Sequence, residues 1–317
     1  MDNQHTQKEI NVGVDTGKFQ LDFYVRPLGI AFTVPNNEAG IKEAVATLKK
    51  HSPTRIIIEA TGRLEHAFVC ACAKANLPFV ISNPIHIKGF GKAIGRLAKT
   101  DRLDASLIAH YGEAVQPRLS KLRPDVLQQL SDLLSRRRQL LAMQTMEKNR
   151  CQIMPKALAS TIKPILTALA NQIAKVDQKL QCLIESCDDY RAKNDIIQSM
   201  PGIGKVVALS LISNMPELGY ISNKEAAALI GVAPMNKESG KYQGQRKIRG
   251  GRAQIRTVMY MAMMSAIQCN PVFKTTYNKL LAAGKTKKSA IIACVRKMII
   301  ILNSMVRDGA LWDPKMG

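Results

Sequence analysis

Aromatic side chains are scarce in this 317-residue chain: one Trp, seven Tyr and seven Phe, 5% in all. A protein that grips single strands by stacking bases on its surface needs more, which argues against that mode of reading. The seven cysteines (Cys70, Cys72, Cys151, Cys182, Cys187, Cys269, Cys294) form no CxxC pair, and the five histidines no HxxxH pair, so zinc-site spacing is missing. An odd cysteine count does not imply a disulfide framework; most are expected as buried thiols in a reducing prokaryotic cytoplasm. Met1–Lys8 is polar and lacks the apolar run of a signal peptide. The longest apolar stretch near the C-terminus, Ile291–Val306, is interrupted by Arg296 and Lys297 and is expected to be too short to span a membrane.

Negative charge is also in short supply. Forty-six Lys and Arg face 24 Asp and Glu, a net of +22 with a pI near 9.9. From Lys237 to Gly317 there are 16 basic residues and three acids (Glu238, Asp308, Asp313), a net of +13. More than half of the excess therefore sits in the last quarter of the chain. A solubilising surface normally mixes both signs, so this points to a phosphate-binding face.

The length suits roughly two domains. Three short strands are predicted at Ile10–Asp15, Leu21–Val25 and Ile30–Val34, then a helix over Glu38–Lys50. Arg55–Glu59 has an unbroken Ile-Ile-Ile core, as in a strand covered on both faces. A helix at His66–Ala75, a strand at Pro78–Ser82 and a further helix follow. That order predicts a mixed sheet with helices on both sides, the ribonuclease H-like (RuvC-like) arrangement. From Leu119 onward, leucines step by three and four to Leu140. After Pro155 a cleaner series runs from Ile162 to Leu183, with Pro164 expected in the first helical turn. Two long helices fit either a bundle core or a protruding, dimerising arm. Met200-Pro201-Gly202-Ile203-Gly204-Lys205 fits a helix-hairpin-helix turn that offers backbone N–H groups to phosphate, or a plain tight turn. A Gly- and Lys-rich loop (Glu238–Gly251) and two basic helices complete the chain.

Four acids carry the chemistry. Asp15 ends the first strand in VGVDTGK and Glu59 ends the central one in IIIEATG, and in such a sheet these strands are neighbours. Asp101 and Asp104, in KTDRLDA, share a helix face by their spacing of three. Four converging carboxylates repel one another without a cation, so the set fits a divalent-metal cage, with two Mg2+ ions able to hold a scissile phosphate. Taken singly, Asp15 also suits a turn and Asp101 a helix N-cap. Glu59, directly after three isoleucines, is costly to bury without a partner.

These motifs resemble those of the DEDD insertion-sequence transposases of the IS110 and IS1111 group, which includes the Piv DNA invertase. The likeness runs from about Asn11 to Trp312 and extends to MPGIGKVVA and APMNKESGKYQGQRKIRGGRAQIR in the second half. It implies a recombinase in which a C-terminal serine attacks the DNA phosphate. By the match of P-x4-SG-x3-G, that serine is Ser239, between Pro234 and Gly240; on residue type alone Ser239-Gly240 is an ordinary polar turn. No histidine is near in sequence to activate it, which leaves activation to the metal site. The resemblance also implies donor and target DNA as substrates, a noncoding bridge RNA as guide, and at least a dimer, with a tetramer favoured. Guide pairing would read sequence and leave the protein to hold backbones. The expected nucleic-acid contacts are Lys18, Lys99, Arg102, Gly202, Gly204, Lys205, Lys241, Arg246, Lys247, Arg249, Arg252, Arg256, Lys285, Lys287 and Lys288.

The expected division is a RuvC-like catalytic domain at 1–117, a helical connector at 118–194, and a mainly helical transposase domain at 195–317 that carries Ser239. Two other readings share the acids. One is a structure-selective nuclease resembling a Holliday-junction resolvase, with water as nucleophile, which a covalent protein–DNA adduct would exclude. The other is a non-catalytic architectural nucleic-acid-binding protein, which metal-dependent cleavage would exclude.

Overall fold

The computed structural model describes residues 9–96, 101–235, 238–239, 242–243 and 247–316, and the chain divides into two compact units between Arg123 and Pro124.

The first unit is built on a five-stranded mixed sheet. Strands β1 (Asn11–Thr16), β2 (Gln20–Arg26) and β3 (Ile30–Pro35) form an antiparallel meander, while β4 (Arg55–Glu59) and β5 (Phe79–Ser82) extend it in parallel on the other side of β1. The spatial order is β3-β2-β1-β4-β5. Helices α1 (Glu38–His51) and α2 (His66–Lys74) cover one face, α3 (Pro84–Ala93) and α4 (Asp101–Val115) the other. The isoleucine run explains this two-sidedness. Ile56 and Ile58 join Val12, Val14, Phe23 and the α1–α2 side chains Ala44 and Phe68, whereas Ile57 points the other way to Ile108 and Tyr111 of α4. An α/β first unit with a mixed sheet, as expected from the sequence, is what forms.

Helix α4 lies directly on β1 because residue 13 has no side chain. A Cβ on Gly13 would stand 2.1 Å from the Ala105 carbonyl oxygen and 2.4 Å from the Ala109 nitrogen. Further along, Gly112 of α4 sits over Ile57 and Asn11. The helix therefore runs antiparallel to β1, with its first turn at the end of the sheet where β1 and β4 finish.

The second unit is helical. Helices α5 (Asp125–Ile153) and α6 (Lys156–Glu185) form an antiparallel hairpin joined by Met154 and Pro155. At 29 and 30 residues they are each about 44 Å long. Leu127, Leu130 and Leu134 of α5, with Val176, Leu180 and Ile184 of α6, belong to one core shared with the C-terminal helices. Toward the tip the pattern changes: Met143, Met146, Ile153, Leu158 and Ile165 are exposed. The hairpin is thus bundle core at its base and an arm beyond it.

Two expectations here are corrected. Pro164 is the ninth residue of α6, not in its first turn, because the helix starts directly after Pro155. Leu119 and Leu122 are not part of the helical series either. Residues 116–124 are non-helical, and Ser120 bonds along the edge of β5, its N–H to the Phe79 carbonyl and its Oγ to the Ile81 N–H.

Helices α7 (Asp188–Gln198), α8 (Lys205–Asn214) and α9 (Asn223–Leu229) precede two short ladders. One pairs β6 (Pro234–Met235) with β9 (Lys247–Ile248), the other β7 (Glu238–Ser239) with β8 (Tyr242–Gln243). Three helices follow rather than the two expected: α10 (Ala253–Cys269), α11 (Pro271–Ala282) and α12 (Lys287–Asp308). At 22 residues α12 is long and apolar enough to cross a membrane, contrary to the expectation from sequence. Its packing argues for another role: Ile291, Cys294, Val295, Met298, Ile299, Leu302 and Met305 are all buried in the unit's core. Asn303 is fully buried there and satisfied, accepting from the Gly219 N–H at 2.9 Å and donating to the Ile221 carbonyl at 2.8 Å.

Candidate active site and nucleic-acid surface

Parallel pairing places β1 and β4 side by side, with Val14 opposite Ile58 as the last pair of the ladder. Asp15 and Glu59 come next, at the ends of adjacent strands whose backbones run about 4.8 Å apart. Alternation fixes their face. Asp15 shares the side of Gly13, and Glu59 that of Ile57, so both project toward α4. Because α4 runs antiparallel to β1, its first turn, with Asp101 and the half-buried Asp104, reaches this same edge. Two β-strands and one helix N-terminus therefore bring the backbone of all four acids together. The Asp101 side chain lies outside the described residues. Among the described residues, no three His, Cys, Asp or Glu side chains form a metal-holding group. The donor set is still of the right chemistry, all carboxylate, for a hard divalent cation.

The loops at this edge are tied together. Thr16 Oγ1 lies 2.5 Å from Thr61 Oγ1, joining the residue after Asp15 to the loop after Glu59. Asn36 Nδ2 donates to the Gly17 carbonyl at 2.9 Å and to the Leu64 carbonyl at 3.2 Å. Glu65 closes the second loop, accepting at Oε2 from the N–H groups of Thr61 and Arg63 at 3.2 and 3.0 Å. Neither Asn36 nor Glu65 stood out in the sequence; each is a single polar residue without a motif.

Ser239 ends β7, where it pairs with Tyr242 across the β7–β8 ladder; its side chain lies outside the described residues. The β6–β9 ladder, with Met235 opposite Lys247, forms the stem from which this segment leaves the helical core.

The expected nucleic-acid contacts separate into three groups. Lys18, Lys205, Lys247, Arg249, Lys285, Lys287 and Lys288 are exposed, and Gly204 is open to solvent. Lys99, Lys241 and Arg246, and the side chain of Arg102, lie outside the described residues. The remaining three are engaged in contacts within the second unit. Arg252 makes a two-bond ion pair with Glu217, at 2.7 and 2.6 Å, and also donates to the Asn214 carbonyl. Arg256 Nη1 donates to the Gly250 carbonyl at 2.7 Å and to the carbonyls of Ile230 and Gly231, joining α9 to the loop before α10. Gly202 (φ +102°) is needed because a Cβ there would stand 2.5 Å from the Cβ of Ala266, so α10 packs on the turn where phosphate contact was expected. Cysteine burial is also less than expected: only Cys72 and Cys294 are buried, and Cys182 and Cys269 are exposed.

Comparison with known proteins gives a consistent result over both units. A DEDD transposase family model of the IS110 type matches residues 12–156, and a second, "Transposase IS116/IS110/IS902 family", matches residues 194–278. The first match contains all four acids, the second the Pro201–Gly204 turn and Ser239. A pilin gene-inverting protein of Moraxella bovis is 26% identical over 319 residues, covering 96% of this chain and 98% of its own. The transposase for insertion sequence element IS1111A of Coxiella burnetii is 23% identical over 331 residues, covering 93% and 89%. An uncharacterized 43.6 kDa protein of insertion element IS110 from Streptomyces coelicolor is 28% identical over 153 residues, 48% of this chain and 37% of its own.

Proposed function

Since the chain belongs to the IS110 family of transposases, we propose that it cuts and rejoins DNA through a serine ester, with a metal site at a RuvC-like carboxylate edge and a bridge RNA selecting the DNA. The observation that carries this reading is the meeting of β1, β4 and the first turn of α4 at one edge and one face of the sheet. Asp15, Glu59, Asp101 and Asp104 would hold the cation, Mg2+ in a two-ion arrangement. When bound, it supplies charge neutralisation at a phosphate and eases deprotonation of a hydroxyl.

The chain's own residues do the rest. Ser239 Oγ attacks phosphorus, and a phosphoserine ester forms as the bond to one deoxyribose oxygen breaks. That oxygen leaves as a hydroxyl, taking up the proton that Ser239 gives up. Attack by a DNA hydroxyl on the ester reverses the exchange and frees Ser239, so no external energy source is consumed. Lys241, Arg246, Lys247 and Arg249 flank Ser239 and offer donors for phosphate oxygens. We keep the three-part functional division at 117/118 and 194/195, a cytoplasmic location, and an assembly of at least two copies, a tetramer being favoured because a full exchange breaks four strands.

The test is adduct formation. Wild-type protein mixed with its donor DNA and Mg2+ is expected to yield a protein–DNA species stable to denaturant, mapping by mass spectrometry to Ser239 and missing from Ser239→Ala. An adduct at another residue sinks the serine assignment. Cleaved ends with no adduct at any time favour water as the nucleophile. RNA guidance is tested separately, by whether cleavage needs the noncoding RNA from the element's flank.

A further inference from the structure

In the second unit, β9, α10 and α12 enclose a groove of about 1060 Å³. Five cations line it, Lys247, Arg256, Lys285, Lys288 and Arg296, with Tyr260 as a half-buried wall; among the described residues no acid lines it. A cleft with one sign of charge concentrates counter-ions. Arg296 sharpens the point. It is half-buried, yet makes no hydrogen bond or ion pair to any described residue. Its charge lines the groove uncancelled by any described acid, available to an anion from outside. Arg256 is anchored on carbonyls, which orient its charge without cancelling it.

Spacing indicates which anion. Lys288, Ile292 and Arg296 follow one another at four-residue steps on α12, so the two cations are about 12 Å apart along the helix. That distance equals the axial rise of three to four base steps of a duplex, at about 3.4 Å each. Thr286 and Ser289 line the groove as well, and hydroxyl groups are phosphate donors. The groove also adjoins the proposed nucleophile. Pro234 of β6 lines it, and Met235 next to it is four residues from Ser239, a reach of at most about 14 Å.

We infer that this groove holds the phosphodiester backbone of a DNA strand close to the bond that Ser239 attacks. The choice of DNA rests on the serine reading above; the phosphate-binding groove does not. The sequence singled out Lys285, Lys287 and Lys288 as one basic cluster. The structure divides them, with Lys285 and Lys288 in the groove and Lys287 outside it.

The experiment measures binding in the full-length Ser239→Ala protein, which needs no cleavage. Affinity for duplex DNA, single-stranded DNA and RNA of one sequence is followed against salt by fluorescence anisotropy. Lys285→Ala with Lys288→Ala is compared with Lys279→Ala with Lys287→Ala, a pair equal in charge, exposed, and off the groove. The groove pair is expected to flatten the log–log salt slope for DNA by about 1.8, at about 0.9 per phosphate contact, and the control pair by less than half as much. Arg296→Ala should lose about 0.9 and Arg296→Lys much less, at an unchanged melting temperature for the Lys variant. Equal effects of the two pairs, or slopes altered for RNA alone, overturn the proposal. Absence of a wild-type adduct would refute the serine reading and leave these slopes as they are.

Discussion

Replacing Gly13 by Ala tests whether α4 sets the carboxylate edge. The added Cβ would lie 2.1 Å from the Ala105 carbonyl oxygen, where real Cβ atoms come no closer than 3.0 Å. About 1 Å must therefore be found, and the obstruction is helix backbone, not a side-chain tip that can rotate away. Moving α4 off β1 costs about 1–3 kcal/mol by the usual scale of overpacking. The same shift moves Asp101 and Asp104 relative to Asp15 and Glu59. A misplacement of about 1 Å in a catalytic constellation lowers rate by about 100-fold. Gly112→Ala is the control. Its Cβ would meet the flexible Cδ1 of Ile57 at 2.1 Å, on the same helix but more than two turns from the acids. Amide hydrogen exchange across α4 reports the loosening and strand-cleavage rate reports the site. Gly13→Ala should accelerate exchange and slow cleavage, and Gly112→Ala mainly accelerate exchange. Cleavage at the wild-type rate in Gly13→Ala, with α4 exchange accelerated, would refute the claim that this contact positions the acids.

Asp15→Asn or Glu59→Gln should abolish cleavage and leave DNA retention nearly intact, since the basic surface supplies the affinity; undiminished cleavage at saturating Mg2+ removes these acids from the mechanism. Arg252→Ala should lower the stability of the second unit by about 1–3 kcal/mol, the scale of hydrogen bonds to a charged group, with the salt slope of DNA binding unchanged; a flatter slope would return Arg252 to the binding surface. Cys182 and Cys269 should react with a thiol reagent in the native protein, whereas Cys72, whose thiol burial pushes up to about 12, and Cys294, also raised by burial, should not. Cys72 stays protonated at every ordinary pH, so its labelling at pH 8 without unfolding would contradict that burial.

The first unit was readable because its signals are local. Period-two strands and a three-isoleucine run specify a sheet buried on both faces, and an acid at the end of each of two strands follows from reading the strands correctly. The long helices were readable in kind but not in extent. Leu119 and Leu122 continue the three-and-four spacing by chance, where backbone bonding to the edge of β5 overrides it. Pro164 suggested a helix start, but α6 carries it inside and forgoes one backbone bond, its neighbours held by packing against α5. Charge was readable as a total but not as a direction. Arg252 looks like a phosphate ligand in a list of basic residues, and only tertiary contacts show it facing Glu217, while Arg256 is held by carbonyls at the wall of the groove. Arg296 read only as a break in an apolar run, because half of the groove that it lines comes from residues 36 to 64 positions earlier.

Asn36 has a consequence for how substitutions at the acid edge combine. One side-chain amide holds the turn after β1 and the loop after β4 at once, so these segments share a mechanical joint, beside the Thr16–Thr61 contact, although they are more than 40 residues apart. Perturbations on the two sides of that joint are not independent. Loosening either loop releases the same amide, and the second loosening has less left to release. Paired substitutions, one in residues 17–20 and one in 60–65, should therefore cost less together than the sum of their separate effects. In an Asn36→Ala, Thr16→Val background, with the amide joint and the Thr16–Thr61 contact both gone, the same pair should become additive. The two rims of the site would then answer to change as separate loops, and each acid would inherit the motion of its own strand end alone.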